Sequence, residues 1–106
     1  MPSAAYNLVR QALVERQSIT AMYDGHRRDL TPHVIGKAKD DAEQALFFQF
    51  GGGSRSGLPP GGMWRCLALD KLTQVAVLPD AGWHVGTSQG IRPQSCVVTI
   101  DVTSGD

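Results

Sequence analysis

The chain has 106 residues, the length of one folded domain, and a hydrophobic share of 42% is enough to build a single core. Ten basic residues balance ten acidic ones, so no overall charge attracts nucleic acid or an anionic membrane. No apolar run approaches the roughly 20 residues of a transmembrane helix or forms the core of a signal peptide, so we expect a cytoplasmic protein without membrane contact.

The first predicted element is an amphipathic helix over residues 4–16. Ser3 is a suitable N-cap, because its hydroxyl can accept a hydrogen bond from a free N–H of the first turn. Tyr6, Val9 and Leu13 recur at the three- and four-residue spacing that places side chains on one helix face. This helix opens a single domain that we expect to span residues 1–106.

From residue 18 onward the apolar spacing changes to two, which predicts β-strands. The segment 18–23 alternates, and Asp24-Gly25 is a strong hairpin signal, so a returning strand is expected at 26–35. Pro32 in that strand requires an edge, a bulge or a strand end, because proline has no N–H to donate. Further strands are predicted at 45–50, 63–69, 73–78 and 96–102, with a single turn at 70–72.

One helix followed by five or six short strands on tight turns predicts a mainly β fold with an antiparallel sheet. A parallel sheet would need a helix between each pair of strands, and none is present. Closure of the sheet would remove its exposed edges, so a small, strongly bent sheet or barrel over residues 18–102 is expected.

The two cysteines, Cys66 and Cys96, match neither a disulfide framework nor the spacing of a zinc site. We therefore expect two small, buried, reduced side chains. No local motif of a hydrolase, such as GxSxG, occurs in the chain. The sequence thus predicts a protein that is not an enzyme and has no cofactor and no metal site.

The segment GGGSRSGLPPGG (51–62) is the most conformationally free part of the chain. Successive N–H groups of such a loop can bind an anion, but the GxxxxGK[ST] pattern and a following helix are missing, so a nucleotide-hydrolysing P-loop is not predicted. Three interpretations remain: a plain connection between strands, a ligand or partner contact, and a catalytic lid.

The order of the segments YDGHRRDLTPHVIG, the glycine-rich loop and WRCLALDKL resembles the WYL domain over residues 18–78. Leu46 stands at the position of the family's leucine, while Gln44 and Ala45 replace its Trp and Tyr, and Ala68 replaces a second arginine. The family's Arg-x-Phe-x-Leu-Asp-x-Ile segment is similar to Arg65, Leu67, Leu69, Asp70 and Leu72. The resemblance implies an SH3-like (Sm-like) β-barrel of a bacterial transcription-regulation module that binds nucleotides or nucleic-acid-like ligands through basic groups.

The candidate ligand site combines Arg65, in the middle of a predicted strand, with Arg55 from the glycine-rich loop and His33 at a strand end. Guanidinium and imidazolium groups can hold a phosphate or a carboxylate. His33 could instead hydrogen-bond backbone, and Arg65 could face solvent or pair with a carboxylate. The remaining residues of the predicted set are Gln49, Ser54, Ser56 and Tyr23.

The predicted fold and the candidate residues indicate two functions. The first is a non-enzymatic module that binds an anionic small molecule, a nucleotide or a single-stranded nucleic acid. The second is an interaction domain that forms a homodimer or docks on a regulator through the loop and a strand edge, with no small ligand.

Overall fold

The computed structural model of the protein describes residues 3–53, 57, 61–84 and 96–104. Within these ranges, one helix precedes six strands, and no helix is long and apolar enough to cross a membrane. The elements are α1 (Ala4–Val14), β1 (Ser18–Tyr23), β2 (His26–Lys37), β3 (Glu43–Gly52), β4 (Met63–Ala68), a 3-10 turn (Leu69–Lys71), β5 (Thr73–Leu78) and β6 (Thr99–Thr103).

The six strands form one antiparallel sheet in the order β4-β3-β2-β1-β5, and β6 also pairs with β2. The predicted class, mainly β with one helix, is confirmed. β4 and β5 lie at opposite ends of this order, yet only residues 69–72 join them, so the sheet must bend. It is not closed, because no ladder joins β4 to β5 in the part of the chain that the structure describes.

The long strand β2 explains how a proline is tolerated in the middle of the sheet. Its first half pairs with β1 up to Leu30, and its second half pairs with β6 from Val34. Pro32 lies between these two partners, beside a bulge in the pairing with β3. Pro32 still pairs with Phe47 on the β3 side, but on the other side of β2 no ladder in the described residues needs its missing N–H.

The helix is fixed at both of its ends. At its start, the Ser3 hydroxyl accepts a hydrogen bond from the N–H of Tyr6 at 3.1 Å and donates one to Glu43 at 2.6 Å. At its other end, Arg16 adopts φ 53° and the N–H of Gln17 donates to the carbonyl of Ala12. This left-handed residue ends the helix at Val14, earlier than the spacing predicted.

Apolar residues pack on both faces of the sheet. The helix-facing face carries the main core, and the opposite face carries a smaller cluster in which Trp64 and Cys96 pack against the buried side chains. The buried side chains of the main core are Tyr6, Val9, Ala12, Leu13, Ile19, Ala21, Leu30, Ile35, Ala45, Phe47, Leu67, Leu69 and Leu72; those of the smaller cluster are Val34, Leu46 and Val97.

Cys66 and Cys96 form a disulfide, so the prediction of two reduced, buried thiols is wrong. Cys66 is exposed on β4 and Cys96 is half-buried before β6. Their Cα atoms are 6.3 Å apart, a separation that a disulfide can span. The bond fastens the segment that carries Val97 over the smaller cluster. Disulfides are rare in a reducing cytoplasm, so this bond gives no support to the expected cytoplasmic location.

Candidate functional site

Three neighbouring strands place polar side chains on the helix-facing face, at the end of the sheet where the β1–β2 hairpin turns. Arg28 on β2 lies opposite Ala21, a residue of the main core. On β4, Arg65 lies opposite Phe47, also in the main core. Directly opposed residues of an antiparallel pair point to the same face, so both guanidinium groups lie on this side.

Gln49 on β3 completes the set. It lies opposite Leu30 of the main core and two residues after Phe47, so the alternation of the strand brings it to the same face. We call Arg28, Gln49 and Arg65 the polar end of the sheet. The same strand spacing places Tyr23 there, two residues after Ala21.

Arg28 is the most deeply buried charge at the polar end, with 4% of its surface exposed. Its guanidinium lies 5.0 Å from the centre of the Tyr23 ring, and its Nε donates to the Tyr23 carbonyl at 3.3 Å. Burial, and then the positive charge of Arg65, lower the pKa of Arg28, while Asp24 acts in the opposite direction. Within the described ranges, no carboxylate lies at ion-pair distance from Arg28.

Gln49 is fully buried, and its side-chain amide organises the start of the glycine-rich loop. The amide nitrogen donates to the carbonyls of Gly51 and Gly53, each at 3.0 Å. Both N–H bonds are therefore used, and they fix which end of the amide is oxygen. Its Oε1 is buried and has no hydrogen-bond partner among the described residues.

The glycine-rich loop begins against β2, beside Arg28. Gly52 pairs with Arg28, and a Cβ at this glycine would collide with the carbonyl oxygen of Arg27 and approach Cα of Arg28 to 2.8 Å. The N–H of Gly53 donates to that same Arg27 carbonyl at 2.9 Å. Further along, the Arg65 guanidinium donates to the Gly57 carbonyl at 3.4 Å. The backbone of the loop therefore borders the polar end.

His33 does not join the polar end. Its ring is fully buried, with Trp64 and Trp83 each 5.0 Å away in edge-to-face contact. One ring nitrogen lies 3.1 Å from the Ser104 hydroxyl, and the other lies 2.9 Å from the His84 carbonyl. The contact with the His84 carbonyl matches the backbone hydrogen bond of the alternative interpretation, but His33 lies in the interior of β2 and not at a strand end as predicted.

The structure brings together three residues of the predicted set: Arg65, Gln49 and Tyr23. Arg55, Ser54 and Ser56 lie outside the described residues. Sequence reasoning missed Arg28, although the alternation of the hairpin contained the signal. Ala21 and Leu30 are apolar and face the core. The Asp24-Gly25 turn sets a register in which Arg28 lies opposite Ala21 and two residues before Leu30, so Arg28 points to the same face.

A search among known protein families, curated proteins and solved structures found no match to this chain. The resemblance to the WYL domain therefore stays a prediction from the residues that carry it. No three His, Cys, Asp or Glu side chains in the described part of the chain are placed to hold a metal ion. The polar end of the sheet is therefore the candidate functional site.

Proposed function

We propose that the chain is a non-enzymatic, WYL-like binding module that takes an anionic small molecule or nucleotide at the polar end of the sheet. The observation that carries this proposal is the Arg28 guanidinium, which is buried beside a second arginine and has no carboxylate at ion-pair distance among the described residues.

The energetics of burial support an anion at this position. A charge taken out of water is costly unless an opposite charge or several hydrogen bonds compensate it. The described contacts of Arg28 are one carbonyl and one aromatic ring, and the nearby charge of Arg65 adds repulsion. An anion between the two guanidinium groups would reverse the sign of that interaction, and arginine can hold phosphate or carboxylate with two parallel hydrogen bonds.

The aromatic side chains favour a small anion over a single-stranded nucleic acid. Stacking of successive bases needs two or three aromatic rings exposed on one face. Every Phe, Tyr and Trp of the chain lies in the described ranges, and each is buried or half-buried. The zero net charge also provides no general attraction to a polyanion.

The proposal is tested by comparing Arg28→Met with Arg27→Met. Arg27 is the matched control, because it is adjacent and exposed, and because it pairs with Asp29 at 3.3 Å. Titration calorimetry with inorganic phosphate and with nucleoside monophosphates should show binding by the unchanged protein. Loss of a charge-assisted hydrogen bond is worth about 1.5–3 kcal/mol, so Arg28→Met should weaken affinity by roughly 10- to 100-fold. Arg27→Met should change it little.

Thermal unfolding separates a binding role of Arg28 from a structural one. If Arg28 serves an anion, Arg28→Met should unfold at the same or a higher temperature without ligand, because a costly buried charge is removed. It should also lose the stabilisation of about 2.7 kcal/mol that an anion at 100 times its Kd gives to the unchanged protein. Strong destabilisation of the ligand-free variant, with anion affinity retained, would contradict the proposal.

A second candidate function is an assembly domain, which the edge strand β5 favours. Within the described ranges β5 pairs with β1 alone, and Val77 on this strand is 41% exposed. An unpaired strand edge with exposed apolar side chains can pair with another chain. A melting temperature that rises with protein concentration, with no response to any anion, would favour assembly over anion binding.

A further inference from the structure

Gln49 holds a buried acceptor at the polar end that no described residue satisfies. Its amide nitrogen is committed to Gly51 and Gly53, so the amide cannot rotate to present a donor without breaking two hydrogen bonds of 3.0 Å. The oxygen therefore faces its surroundings as a fixed acceptor, and no described group donates to it. A buried acceptor without a donor is costly, and such groups are rare in folded proteins.

The location of this acceptor connects it to the two guanidinium groups. Arg28, Gln49 and Arg65 lie on the adjacent strands β2, β3 and β4, and all three point to the helix-facing face. The two glycines that hold the Gln49 amide lie on either side of Gly52, the residue that pairs with Arg28. One face of three adjacent strands therefore carries two guanidinium groups and one neutral acceptor at neighbouring register positions.

We infer that the anion bound here carries its own hydrogen-bond donor, directed at Oε1 of Gln49. This inference rests on the proposed anion-binding function and specifies its ligand class. An anion with oxygens alone would satisfy the arginines but would place lone pairs against the Gln49 oxygen. A protonated phosphate group satisfies both, because its charged oxygens accept from the guanidinium groups while its P–O–H donates to the amide oxygen.

Two pairs of inorganic anions test this inference on the unaltered protein. At about pH 8, hydrogen phosphate and hydrogen arsenate each carry one O–H, whereas sulfate and selenate have the same shape and charge without a proton. The pairs are phosphate with sulfate and arsenate with selenate. Each pair compares a protonated oxyanion with an unprotonated one of similar size. Titration calorimetry at fixed ionic strength should show phosphate and arsenate binding at least about 10-fold more tightly than sulfate and selenate.

A phosphate monoester distinguishes free phosphate from an esterified group. Methyl phosphate loses its last proton near a pKa of about 6, so it carries a donor at pH 5 and none at pH 8. If the natural group is an ester, methyl phosphate should bind more tightly at pH 5 than at pH 8. If it is free phosphate, methyl phosphate should bind weakly at both pH values while inorganic phosphate binds.

The variant Gln49→Met assigns the discrimination to this side chain. It removes the acceptor with little change in length, and the phosphate-to-sulfate affinity ratio should fall toward one while both anions still bind through the arginines. A ratio that persists in a folded Gln49→Met protein would overturn the assignment to Gln49.

The outcomes on the unaltered protein separate this inference from the proposed function, even if the variant fails to fold. Equal affinity for all four anions would overturn the inference and leave anion binding intact. Failure of every anion to bind would overturn the proposed function, and the inference with it.

Discussion

Reduction of the Cys66–Cys96 disulfide is expected to destabilise the protein strongly, because the bond closes a long loop between two otherwise distant segments. The cysteines are separated by 30 positions in the sequence. In the chain-entropy description, closing a loop of that length removes about 12 cal/mol/K from the unfolded state, or about 3.6 kcal/mol at 25 °C. For a domain of this size, that loss corresponds to a fall in Tm on the order of 15 °C.

The segment that the disulfide fastens, with Val97 and β6, also has contacts that do not depend on the bond. The segment still holds Val97 in the smaller cluster and still pairs β6 with β2, so the reduced protein should remain folded at 25 °C. The bond does not lie in the main core, which should therefore unfold in one cooperative transition with or without it.

The assay is thermal unfolding followed by far-ultraviolet circular dichroism, with and without a dithiol reductant. Alkylation and mass spectrometry verify the bond, since both thiols should react only after reduction. The double variant Cys66→Ala/Cys96→Ala is the control, and its Tm should not respond to the reductant. If the bond is verified and reduction lowers Tm by less than about 4 °C, the loop-entropy reasoning is refuted for this fold.

Two further predictions concern the helix and the glycine-rich loop. Burial, then the hydrogen bond to Asp101, raise the pKa of Tyr6 from 10.0 to about 12. The free energy of unfolding should therefore fall by on the order of 2–3 kcal/mol between about pH 10 and pH 12, because the unfolded state loses the phenol proton at a lower pH than the folded state does. Urea unfolding of Tyr6→Phe should show no such loss. Gly52→Ala should lower the free energy of unfolding by about 2 kcal/mol or more, and Gly25→Ala by about 1 kcal/mol. Both glycines have positive φ, but only a side chain at Gly52 would also meet the backbone of Arg27. Equal losses in urea unfolding would contradict that account.

Local signals in the sequence predicted most of the elements. The strands at 18–23 and 73–78 and the single turn before β5 have the predicted positions, because alternation and turn residues act over a few neighbours. Asp24 and Gly25 have φ values of 55° and 78°, as the hairpin signal indicates. The last strand begins at Thr99 rather than at residue 96, because the disulfide and the burial of Val97 hold the chain before it.

Long-range features were beyond the reach of local patterns. Whether β4 and β5 pair depends on the bend accumulated over the whole sheet, and no short segment encodes that quantity. The disulfide depends on the approach of two segments 30 residues apart, which two isolated cysteines cannot indicate. His33 was misleading for a related reason, since its partners at Ser104 and His84 lie far along the chain.

The first glycines of the loop, residues 51–53, have a structural role at the polar end. As a plain connection between strands, residues 51–53 would need flexibility and nothing more. Gly52, however, lies opposite Arg28, where a side chain would strike the backbone of β2, and Gly53 donates to that same backbone. The Gln49 amide then binds the carbonyls on both sides of Gly52. Glycine is therefore required here for close packing beside the buried arginine, and the start of the loop is a fixed wall of the proposed site.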